Sequence, residues 1–167
     1  ECLVGSEMCI RDRLYPGANH KNTQEAIGVA LSQANAGDWL LMQNETNNQS
    51  YAAATAKTLG LSVGYAAAPF DAQAVQAVMG SLDLLILNAV EAEQLHQATG
   101  QSPAQLPVRD IIVTLGAEGC LWYGIEGQQQ FEAIAVEPVD TTGAGDTFTG
   151  YVLAGLDRGM PMAQAIS

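Results

Sequence analysis

Short apolar runs recur along this chain, each cut off by a stretch carrying helix start and stop signals, and this alternation restricts the fold more than any other feature. The runs are Trp39-Leu40-Leu41-Met42-Gln43, Leu61-Ser62-Val63-Gly64-Tyr65-Ala66-Ala67, Leu82-Asp83-Leu84-Leu85-Ile86-Leu87 and Asp110-Ile111-Ile112-Val113-Thr114-Leu115. Before the first, Asn22-Thr23-Gln24-Glu25 reads as a capping box that opens a helix through about Asn35, with Gly37 as its stop. Residues 48–59 read as a helix stopped by Gly60. Pro69 and Asp71 start another that runs to about Met79, and Asn88-Ala89-Val90-Glu91 opens one from Ala92 to about Thr99, closed by Gly100. Strands that alternate with helices pair in parallel and need cover on both faces. The expected fold is therefore α/β, a mostly parallel sheet with helices on both sides. After the fourth run, Cys120-Leu121-Trp122-Tyr123 and residues 130–136 flank a glycine-containing turn and read as a hairpin.

Charge and length narrow the function classes. A chain of 167 residues, 48% of them hydrophobic, can bury one sizeable core. Six Lys and Arg under a formal net charge of −12 cannot assemble a basic patch, so nucleic acid is not an expected partner. No apolar run reaches bilayer length and no basic-then-apolar leader is present, so a soluble chain is expected, with no membrane partner. Cys2, Cys9 and Cys120 make neither a disulfide framework nor a metal set, which fits a reducing cytoplasm. His20 and His96 lack ligand partners nearby and read as surface or structural histidines. Residues 1–13 follow neither helical nor strand periodicity and read as a non-native or disordered leader, leaving 14–167 as the working domain.

The most informative stretch is Asp140-Thr141-Thr142-Gly143-Ala144-Gly145-Asp146-Thr147-Phe148-Thr149-Gly150. It runs into Tyr151-Val152-Leu153-Ala154-Gly155-Leu156, where apolar residues at 148, 152, 153 and 156 share one helical face. The Gly-Ala-Gly turn therefore sits at a helix N-terminus, where unpaired N–H groups and the helix dipole favour an anion. A carboxylate at 146 would repel that anion unless it has a task, such as taking the proton of an attacking hydroxyl. The competing account is a favourable charge–dipole contact of ~0.3–1 kcal/mol and an ordinary glycine loop. Spacing alone leaves the two accounts even. A dinucleotide fingerprint fails because Phe148 stands where the third glycine belongs, and no Gly-Lys-Ser/Thr is present for a P-loop.

The full pattern Asp-Thr-x-Gly-Ala-Gly-Asp-x-Phe resembles the C-terminal signature of the ribokinase-like (PfkB) family of sugar and nucleoside kinases. The resemblance implies a Rossmann-like α/β sheet and phosphoryl transfer from ATP to an alcohol. It makes Asp146 the base that deprotonates the accepting hydroxyl, and Gly143, Ala144 and Gly145 the anion hole. Glu45 would otherwise read as a solvated loop acid at a strand's carboxyl end. The family's Leu-Leu-Met-Gln-x-Glu run makes it a sugar contact and favours ribose. Asn88 and Glu91 read as a capping box by spacing. The resemblance adds a phosphate contact for Asn88 and Mg²⁺ organised through water for Glu91, and both readings can hold together. Glu93 is a second acid of open role. Thr114, Leu115, Gly116, Ala117, Glu118 and Gly119 match a turn that borders ATP in the family. Asp140 and the main chain of Thr142 match a monovalent-cation site, K⁺ in some members.

The resemblance covers residues 14–167, the middle and later part of such a domain. The expected chain is thus truncated at both ends and inactive alone. A sheet without its leading strands would expose an edge that invites aggregation or a partner, so a homodimer is a further expectation. Other acceptors in the family (a fructose, a nucleoside or a keto-sugar acid) and a non-catalytic nucleotide- or sugar-binding domain remain the alternatives.

Overall fold

The computed structural model describes residues 17–136 and 140–167; the leader expected at 1–13 lies outside the described residues. Among the described residues six strands form one sheet: β1 (Trp39–Gln43), β2 (Ser62–Ala66), β3 (Leu84–Asn88), β4 (Asp110–Thr114), β5 (Cys120–Gly124) and β6 (Gly127–Phe131). Their spatial order is their chain order, with β1 to β4 parallel and β5 and β6 added antiparallel. Six α-helices accompany them among the described residues: α1 (Gln24–Leu31), α2 (Gln49–Thr58), α3 (Ala72–Val78), α4 (Ala89–Thr99), α5 (Ala144–Asp157) and α6 (Met162–Ile166).

Alternation along each strand sends side chains to two separate cores. Leu85, Leu87, Ile111 and Val113 join the core built with α1 to α4. Their neighbours Leu84, Ile86 and Ile112 join Val152 of α5 and Met162 of α6 on the opposite side. Burying a side chain of this size contributes ~1.5–3 kcal/mol, so both cores favour this sheet order. The first apolar face of α5, at Phe148, Val152, Leu153 and Leu156, packs as its spacing implies.

Several boundaries differ from the sequence reading. Helix α1 ends at Leu31, not near Asn35, because Ser32 Oγ donates to the Val29 carbonyl and Asp38 accepts the Asn35 N–H, 2.7 Å. Its cap is Thr23, whose hydroxyl accepts the Ala26 N–H; Asn22 instead donates its N–H to Asn47 Oδ1, 3.1 Å. The second hairpin strand stops at Phe131, short of residue 136. Gly119, with φ +89°, turns the chain just ahead of Cys120, so the strand register ends at the Cys120–Phe131 pair. Strand β3 starts at Leu84 because Asp83 is used earlier, accepting the Val63 N–H (2.8 Å) and pairing with Lys57 (2.8 Å).

Candidate active site

The carboxyl ends of β1 to β4 and the first turn of α5 meet around a cleft of about 380 Å³. Each wall comes from a simple local cause. Parallel strands end on the same side, so Gln43 at the end of β1 with Glu45 just past it, Ala66 at the end of β2 with the segment to Pro69, Asn88 at the end of β3 and Thr114 at the end of β4 share one rim. Helix α5 points its N-terminus at that rim because the turn before it is made by Gly143 in the left-handed region, φ +73°. It brings Thr141, Gly143, Gly145, Asp146 and Thr149 to the cleft.

Asp146 is exposed in the first turn of α5, and its Oδ1 accepts a hydrogen bond of 2.6 Å from Gln43 Nε2. Gln43 is held in turn by its backbone. The buried Gln49 donates from Nε2 to the carbonyls of Gln43 (2.7 Å) and Thr46 (2.9 Å), which fixes the loop carrying Glu45. The leading N–H groups of a helix lack intrahelical acceptors. At α5 one of them is already spent, since Ala144 donates to the Thr141 carbonyl at 3.1 Å. Outside its chain neighbours and the backbone of its own helix, no protein atom lies within 4 Å of where a Cβ on Gly145 would stand, and its φ is not positive. Packing and conformation therefore do not call for glycine at 145.

At the β3–α4 turn the capping box forms: Asn88 Oδ1 accepts the Glu91 N–H (2.9 Å) and Glu91 Oε2 accepts the Asn88 N–H (2.8 Å). Burial pushes the Glu91 carboxyl above the usual glutamate range, against the lowering effect of the Asn88 N–H. A carboxylate whose charge is poorly solvated gains from a nearby cation, so Glu91 suits a hydrated Mg²⁺. Glu93 takes a different course, accepting from Gln97 Nε2 on the outer surface of α4, 2.9 Å.

The structure thus gathers Glu45, Asn88, Glu91, Thr114, Gly143, Gly145 and Asp146 in one cleft. Ala144, Asp140, Thr142 and residues 115–119 are not among its walls. Asp140 and Thr142 are joined by a hydrogen bond from the Thr142 N–H to Asp140 Oδ1, 2.8 Å. Leu115 to Gly119 form a tight turn, with Leu115 donating to the Gly119 carbonyl at 2.8 Å. A Cβ on Gly119 would collide with the Phe131 carbonyl, so this glycine is required by the fold. Among the described residues no group of three or more His, Cys, Asp or Glu converges as a metal cage, and no helix is long and apolar enough to cross a membrane. Sequence reasoning missed Gln43, Gln49, Thr149 and the 66–69 segment. Gln43 stood in the quoted Leu-Leu-Met-Gln-x-Glu run, but its partner is 103 residues away.

A mostly parallel α/β sheet with a glycine-led helix aimed at a carboxylate-lined crevice defines a class of small-molecule enzymes and binding proteins. Residues 12–167 match the model of the pfkB family carbohydrate kinases, and the chain belongs to that family. It is 27% identical over 156 residues to a ribokinase of Lactococcus lactis, covering 92% of this chain and 52% of that one. The crystal structure of a Thermotoga maritima ribokinase superposes with a TM-score of 0.77 at 29% identity, covering 91% of this chain and 53% of that one. A Vibrio cholerae fructokinase double mutant, solved with fructose, ADP and potassium ion bound, superposes with a TM-score of 0.62 at 27% identity, covering 76% and 49%. The chain spans about half the length of the curated relatives it matches.

Proposed function

We propose that this chain is part of an ATP-dependent sugar kinase, with D-ribose as acceptor and ribose 5-phosphate as product. The observation that carries the reading is the placement of Asp146 at the N-terminus of α5, in one cleft with Glu45, Asn88 and Glu91. The acceptor oxygen attacks the γ-phosphorus of ATP and its proton passes to Asp146. The bond from that phosphorus to the bridging oxygen breaks, and ADP leaves. The N–H groups of Gly143 and Gly145 meet the negative charge of the transferred group, and the Ala144 N–H joins them on giving up the Thr141 carbonyl. Open space in front of Gly145 supports that role, because an anion can approach where no Cβ stands. Removing one donor of such a hole costs about 2.7–4 kcal/mol of transition-state stabilisation.

Glu45, on the loop pinned by Gln49, holds the sugar. Asn88 faces phosphate. Glu91 would hold Mg²⁺ through water, and the ion would supply neutralisation of phosphate charge. Residues 114–119 would border the nucleotide, and Asp140 with the Thr142 main chain would hold a monovalent cation; the potassium-bound fructokinase supports a cation in this family's reading. The same relative supports fructose as the second acceptor to test. Edge strand β1, paired only with β2 among the described residues, would receive further strands of a longer kinase chain or a second copy.

The test uses a full-length chain containing these residues. Asp146→Asn is expected to abolish turnover while ribose binding, measured by calorimetry, stays nearly intact. Retention of most activity would overturn the assignment, and faster turnover of fructose than ribose would redirect the acceptor.

A further inference from the structure

Gln43 is the side chain that meets Asp146, yet it has no place in the kinase reading set out above. Its amide donates to Asp146 Oδ1 at 2.6 Å, across the gap between the end of β1 and the first turn of α5. Helix α5 offers the carboxylate little help of its own: the N-cap is Gly143, which has no side chain to bond. The β1 end, by contrast, is anchored in the core. Tyr65, fully buried, donates its hydroxyl to Gln49 Oε1 (2.9 Å), and Gln49 passes two bonds to the carbonyls of residues 43 and 46. Burial, helped by Asp71, pushes the Tyr65 hydroxyl up to about 12, so it stays a donor throughout the working pH range.

We propose that Gln43 is a positioning residue that orients the Asp146 carboxylate toward the acceptor hydroxyl, occupying Oδ1 so that Oδ2 takes the proton. This rests on Asp146 being the base. A carboxylate on an exposed first turn otherwise samples several rotamers, and few of them place an oxygen in line with the hydroxyl. Relayed through Gln49, the orientation is set by the core and not by α5 alone.

The experiment compares Gln43→Met, Gln43→Glu and Asp146→Asn in the full-length kinase chain. Methionine keeps the length and removes the donor; glutamate keeps the shape and faces Asp146 with a second negative charge. Gln43→Met is expected to lower kcat by about 10- to 100-fold with ribose KM within about twofold, the scale of a misplaced reacting group. Gln43→Glu should lose more than Gln43→Met, and a loss in kcat without one in KM is what a purely structural side chain would not produce. Thermal stability should be unchanged in both, since Gln43 lies at the surface of the cleft. A kcat for Gln43→Met above half of wild type, a loss confined to KM, or a glutamate variant as active as wild type would overturn the proposal. If Asp146→Asn itself stays active, the kinase reading fails; if Asp146→Asn is dead and Gln43→Met is not impaired, only the positioning role fails.

Discussion

The Tyr65 hydroxyl donates to Gln49 Oε1 at 2.9 Å inside the core, joining the penultimate residue of β2 to the first residue of α2. Gln49 is 9% exposed, its Oε1 accepts from Tyr65 and its Nε2 donates to the carbonyls of residues 43 and 46. A buried polar group stabilises only while its partners remain.

Tyr65→Phe therefore leaves Gln49 Oε1 without its donor, and a loss of about 1–3 kcal/mol is expected by urea denaturation of the full-length chain. Gln49→Leu, which strips two carbonyls of their donor, should also raise the ribose KM through Glu45. Equal stability of Tyr65→Phe and wild type would show that the bond contributes nothing.

The two cleft glycines should respond oppositely to alanine. Gly143 has φ +73°, so Gly143→Ala is expected to cost about 1–2 kcal/mol of stability. Gly145 has neither positive φ nor a neighbour within 4 Å of a built Cβ, so Gly145→Ala should be neutral or stabilising by about 0.5–1 kcal/mol. Turnover should nonetheless fall at least tenfold in Gly145→Ala, because the methyl group occupies the approach to the anion. Denaturation curves and steady-state rates of the two variants check both halves.

Glu91 gives a pH signature. Its folded-state pKa is raised, chiefly by burial, so the folded state holds the proton more tightly than the unfolded one. Its stabilising contribution is present below the unfolded pKa and lost as pH rises through the folded value. Glu91→Gln keeps an acceptor for the Asn88 N–H and has no charge to bury. Its melting temperature should gain on wild type as pH rises from about 4 to about 7. A constant difference, or wild type gaining with pH, contradicts this.

The 167-residue chain by itself is expected to show no ATP-dependent phosphorylation of ribose, since it spans about half of the matched relatives. A coupled ADP-release assay on the purified chain measures this, and robust turnover would refute it.

Much of the fold was legible because its signals are local. The β1 to β4 segments are short and apolar, and their alternation with capped helices leaves a parallel sheet as the consistent answer. Caps made within a few residues, such as Asp71 on Gln73 and Ala74 or the Asn88–Glu91 box, could be read from spacing. The end of α1 could not, because it depends on how Ser32 and Asp38 bond in a loop. Nor could the early stop of β6, which depends on where β5 begins.

For the candidate site, the amino-acid sequence by itself determined the helix-start carboxylate, the Gly-Ala-Gly turn before it and the acids at strand ends. Each of these is dictated by backbone conformation within one turn. Only the tertiary structure decided that Asp146 meets Gln43, that Glu45 rides on a loop held by Gln49, and that residues 115–119 lie outside the cleft walls. Those are contacts between segments far apart in the chain, and no local periodicity encodes which of many polar side chains will face each other across a folded crevice.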